Sequence, residues 1–113
     1  MERVKKHSKA VIKLLQEMAC PVREGEKIYE QVIFDRENHH YMLLWLGFNQ
    51  IGSFVDRVIV HFEIKPDGKI WILANVTEED VAETLTKMKI KPCDIVLGFH
   101  PEQVRAYSGY AVV

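Results

Sequence analysis

The sequence predicts an α+β protein: an N-terminal helix, a four-stranded antiparallel meander, a second helix, and a C-terminal segment that packs as coil or adds a strand. Three observations carry this reading. Apolar residues recur at helical spacing ahead of Pro21, four apolar runs are separated by short polar breaks, and a capped helical pattern opens near Thr77.

Val4, Val11, Leu15 and Met18, joined by Ile12 and Leu14, form one stripe, so about residues 2–19 read as an amphipathic helix. Pro21 ends it, because its ring clashes with the preceding turn and it has no N–H to donate. A short polar linker, Val22 to Lys27, follows. Strands are expected at about 28–35, 39–48, 54–64 and 69–74. The breaks are Arg36-Glu37-Asn38, Asn49 to Ser53 with Gly52, and Lys65-Pro66-Asp67-Gly68. The last is the strongest turn signal, since proline presets φ and glycine accepts a positive one. Breaks this short imply sequential hairpins. The second helix is expected from about Glu78 to Lys89, with Thr77 as its cap, acidic residues at its positive end, and Val81, Leu85 and Met88 as its buried stripe. Beyond Pro92, Ile95-Val96-Leu97 and Tyr110-Ala111-Val112-Val113 are short apolar runs whose state periodicity does not decide.

A chain of 113 residues is expected to form a single domain spanning 1–113, large enough to bury a core without disulfide or metal. Cys20 and Cys93 lie far apart with no CxxC spacing and read as reduced thiols. The net charge of −1 does not suit a protein whose main task is to hold nucleic-acid backbone. Arg3, Lys5, Lys6, Lys9 and Lys13 are a local exception on the first helix, read as a solvated flank without interleaved aromatics. No apolar run approaches the ~20 residues that span a bilayer, and Met1 leads into charged residues, so a cytoplasmic protein without membrane contact is expected.

Motifs of chemistry are sparse. His39 and His40 are adjacent on a strand and point to opposite faces, so they do not share an ion. There is no HExxH, no Cys/His quartet, no GxSxG elbow and no phosphate-binding glycine loop. The expectation is therefore no enzyme, no cofactor and no metal site. Asp35 reads as a structural acceptor for turn amides.

Symmetric pairing about each turn places Met42 opposite Val60, Leu44 opposite Val58, Phe48 opposite Phe54 and Phe62 opposite Trp71. With Val32, Phe34 and Leu73, these form the expected core face. The other face mixes aromatic, apolar and charged residues, a composition typical of protein contacts. Tyr29, Tyr41, Trp45, Arg57, Ile59, His61 and Ile72 are the candidate partner interface.

One stretch resembles a known signature: Asp67-Gly68-Lys69-Ile70-Trp71-Ile72, then Asn75, Thr77-Glu78 and Asp94-Ile95-Val96-Leu97-Gly98-Phe99. Phe34-Asp35, Tyr41, Gly47, Arg57 and His61 precede it, and Pro101, Arg105, Tyr107 and Gly109-Tyr110-Ala111-Val112 follow. Together these residues, from about Ile28 to the end, resemble the XisI family, controlling factors of a site-specific DNA-element excision. Phe48 stands where that pattern has Trp, Ser108 where it has Thr, and Val113 where it has Ala. The resemblance implies a non-catalytic regulatory subunit that acts beside XisH, a companion with a nuclease-like fold. The chain would meet either that companion or its own copy, and DNA only weakly or indirectly. The alternative it leaves open is a direct DNA-binding accessory factor of the recombinase.

Overall fold

The computed structural model describes residues 2–19 and 27–113. The elements run α1 (Glu2–Met18), β1 (Ile28–Asp35), β2 (His40–Phe48), β3 (Phe54–Ile64), β4 (Ile70–Asn75), α2 (Val81–Lys87), a 3-10 turn (Pro92–Asp94), β5 (Ile95–Val96) and α3 (Glu102–Arg105). The expected linker at 22–27 lies outside the described residues, apart from Lys27.

All five strands form one sheet in sequence order, β1-β2-β3-β4-β5. The first four make the expected antiparallel meander. The C-terminal segment then adds a strand: α2 carries the chain back, so β5 pairs parallel to β4, with Ile70 beside Ile95. Ala111 extends this edge through a bridge to Val96 and a 2.8 Å bond from its N–H to the Ile95 carbonyl.

Both main helices lie on one face. Val11, Leu14 and Leu15 of α1 and Val81, Ala82 and Leu85 of α2 are buried with Tyr41, Leu43, Ile59, Val60, Phe62, Ile64, Ile70 and Ile72 of the sheet. Burial at ~1.5–3 kcal/mol per large side chain makes this cluster the main source of stability.

This core is only partly the face that symmetric pairing predicts: Val60 and Phe62 are buried in it and Val32 and Phe34 pack against it, but the rest is exchanged. The first turn holds four residues, 36–39, so Asp35 faces His40 and Phe34 faces Tyr41. His39, with φ +58°, belongs to the turn rather than the strand. One extra turn residue flips every side chain of the following strand. Further along, Leu43 faces Val60 while Leu44 faces Val58, so Ile59 is the extra residue of a bulge. Phe62 faces Ile72, not Trp71, and Leu73 is the extra residue of a second bulge. Tyr41, Ile59 and Ile72, placed on the mixed face by sequence, are each 1% exposed and belong to the core. Met42, Leu44, Val58, Phe48, Phe54 and Trp71 correspondingly leave it.

The second helix also starts later than expected. Its cap is Asp80, whose carboxylate accepts from the Glu83 N–H at 3.0 Å. Thr77 instead closes the turn before it: its hydroxyl donates to the Asn75 side chain and accepts from the Glu79 N–H.

Candidate functional site

Side chains of one parity on β1, β2 and β3 point away from the helices: Tyr29, Gln31 and Ile33; Met42, Leu44, Leu46 and Phe48; Phe54, Asp56 and Val58. Tyr29 faces Leu46, Ile33 faces Met42, and Val58 faces Leu44. Tyr29, Ile33, Phe48, Phe54 and Val58 are exposed, so this outer face is an apolar surface open to solvent. Phe48 and Phe54 meet edge-on at 5.3 Å near the end of the β2–β3 hairpin.

Among the described residues, the C-terminal segment covers the β4 side of the outer face. The Trp71 ring lies within cation–π reach of Lys65 (5.3 Å) and Arg105 (5.1 Å). Gly98 packs so closely that a Cβ there would stand 2.9 Å from Trp71. The Phe99 N–H bonds the Ile72 carbonyl at 3.2 Å. Trp71, Gly98 and Arg105 thus fasten the C-terminal segment to β4, which gives these signature residues a structural role.

Of the seven candidate interface residues, Trp45 and Arg57 face each other across β2–β3 and are exposed, Trp45 at 37%. They lie on the helix side of the sheet, beyond the buried Leu43, and the Trp45 indole donates to Glu30 at 3.2 Å. Tyr29 lies on the outer face. His61 is also on the outer face and half-buried. The structure therefore separates the predicted set: three residues in the core, two at the hairpin end, two on the outer face.

Two polar clusters remain. His40 Nδ1 and His61 Nε2 are 2.8 Å apart, with His40 also 3.7 Å from Glu63. In this bond one ring donates and the other accepts, the roles being set by their tautomers. Burial, then the neighbouring His40, lowers the His61 pKa, and Glu63 partly opposes this. At the far end of the sheet, buried His7 bonds the Gly68 carbonyl and stands 3.9 Å from Asp94, which also faces Arg3 at 3.8 Å. Arg3, Lys6 and Lys91 line a shallow cleft of about 290 Å³ around this pair. It ties α1 to the β3–β4 turn, since Arg3 also donates to the Asp67 carbonyl. Among the described residues, no group of three or more His, Cys, Asp or Glu is placed to hold a metal ion. Asp35 accepts from the Asn38 and Glu37 amides, and these bonds, led by Asn38, lower its pKa.

Fold and surface define a small α+β protein with one sheet, its two main helices on one face, and exposed apolar side chains on the other. The chain belongs to the XisI family: the family model described as XisI protein matches residues 1–112. A solved XisI-like protein from Anabaena variabilis ATCC 29413 is 34% identical and superposes with a TM-score of 0.87, covering 97% of this chain and 99% of that one. The fdxN element excision controlling factor XisI from the same organism shares the fold at 20% identity, with a TM-score of 0.81 over 98% of this chain and 99% of that one. No curated protein matches the chain. No helix of the described residues is long and apolar enough to cross a membrane.

Proposed function

We propose that this chain is a non-catalytic regulatory subunit that controls a site-specific excision enzyme through protein contact, acting beside a nuclease-fold, XisH-like companion. Membership of a family that includes an excision controlling factor supports the regulatory role. The single observation that carries the contact is the exposed Trp45–Arg57 pair on the β2–β3 hairpin. Exposed Trp and Arg side by side are the residue types that dominate interface energies. Direct DNA binding is disfavoured by the fate of the basic flank. Arg3 and Lys6 are turned onto the Asp67 and Lys89 carbonyls of their own chain.

Co-expression with the companion, followed by affinity capture, tests this reading. The pair should co-purify, and Trp45→Ala should abolish capture without lowering the melting temperature. Capture unaffected by Trp45→Ala and Arg57→Ala would refute the assigned surface. Salt-sensitive, sequence-selective DNA binding by the chain alone would replace this reading with the accessory-factor one.

A further inference from the structure

The buried pair at the start of α1 is incompletely bonded. His7 is 2% exposed and Asp94 8%, yet they stand apart. His7 Nδ1 bonds the Gly68 carbonyl, which can only accept, so this nitrogen carries the hydrogen. In the neutral ring the other nitrogen, Nε2, is then an acceptor, and it faces the Asp94 carboxylate at 3.9 Å. Arg3 stands 3.8 Å from the second oxygen of that carboxylate. Both distances exceed a hydrogen bond, and among the described residues no closer donor reaches the Asp94 side chain. A buried carboxylate without a direct donor is costly. One group with two hydrogens, set about 2.9 Å from each, would satisfy His7 Nε2 and Asp94 Oδ2 together.

The rim carries the opposite demand. Arg3, Lys6 and Lys91 line the same cleft of about 290 Å³, together with Glu2. Arg3 and Lys6 are held in place by bonds to the Asp67 and Lys89 carbonyls, and a Cβ on Gly68 would collide with the Arg3 stem. Each of those bonds uses one donor of a group that has five or three, leaving donors for an anion. Three cations against the carboxylates of Glu2 and Asp94 leave one positive charge in excess.

We propose that this cleft binds an amino acid with an acidic side chain. Its ammonium lies between Asp94 and His7, and its two carboxylates meet Arg3, Lys6 and Lys91. Such a ligand carries one net negative charge, which matches the excess on the cleft. The volume lies at the lower end of the range for small-molecule sites and suits a ligand of this size. A simple dicarboxylate fits less well, because it brings no donor to the buried acceptors. A simple amine brings no anion to the rim. The site joins α1, the β3–β4 turn and the 3-10 turn that carries Asp94, so an occupant fastens the helix to the sheet. This reading is independent of the companion contact.

Titration calorimetry and thermal melting of the full chain with L-glutamate test it. Saturable binding is expected, with a melting midpoint that rises with ligand concentration. Glutarate keeps both carboxylates but lacks the ammonium, and should bind at least about tenfold more weakly. It also controls for the general effect of a carboxylate salt, and it probes the buried floor without mutating it. Lys91→Glu reverses a charge at an exposed position and should weaken L-glutamate about fivefold, with the melt of the unliganded chain unchanged. Absence of binding up to about 10 mM would overturn the proposal. So would glutarate binding as tightly as L-glutamate, or Lys91→Glu binding like the native chain.

Discussion

Phe62 tests the assignment of the sheet faces. It is fully buried, flanked by Tyr41 on β2 and Ile72 on β4, beneath α1 and α2. Phe62→Ala removes a ring from a site with close neighbours on both strands, and the expected cost is about 3–5 kcal/mol. At about 4 °C per kcal/mol for a chain of this length, the midpoint should fall by about 12–20 °C. Val58 is the paired control. It lies in the same strand but on the outer face, so Val58→Ala should change stability by no more than about 0.5 kcal/mol. Thermal unfolding followed by circular dichroism at equal protein concentration, checked by denaturant titration, compares the two. Symmetric pairing put both residues in the core, so it predicts a large loss from each. A Val58→Ala midpoint as low as that of Phe62→Ala would refute the bulge at Ile59 and the face assignment built on it.

Three further outcomes follow from local geometry. Asp80→Ala should cost ~1 kcal/mol through loss of the acceptor for the Glu83 amide, seen as a lower denaturant midpoint. Gly47→Ala should cost more, about 1–3 kcal/mol from its φ of +133° alone, with the added methyl also driven into the Lys27 carbonyl; a soluble variant with an unchanged melt would contradict this. His61 gives the pH dependence. Its folded pKa lies below the ordinary value of 6.5, so the unfolded chain binds the proton more readily and stability falls as pH drops through that value. Melting from pH 8 to 5 should show this loss, and His61→Gln should reduce it.

The elements of the fold were legible because each has a local cause. The stripe from Val4 to Met18, the strand at 28–35, the strand at 54–64 and the Pro66–Gly68 turn all appear within a residue or so of their expected places. The fifth strand was not decided by the sequence, because Ile95-Val96 is too short to show a period and owes its state to Ile70 and Trp71 beside it. The faces were misread for a different reason. Side-chain direction alternates with every residue, so a turn one residue longer at His39, followed by bulges at Ile59 and Leu73, reverses the assignment strand by strand. No local preference marks such a bulge in advance. The candidate interface inherited that error at Tyr41, Ile59 and Ile72. Trp45 and Arg57 kept their place opposite each other because β2 and β3 pair symmetrically beyond the bulge.

The proposed role of this protein is to hold a companion chain. Affinity capture of the co-expressed XisH-like companion, by the native protein and by Trp45→Ala, tests it most directly. The expected result is a stoichiometric complex with the native protein, none with Trp45→Ala, and the same melting curve for both. Failure of the correctly folded native protein to capture that companion would contradict it.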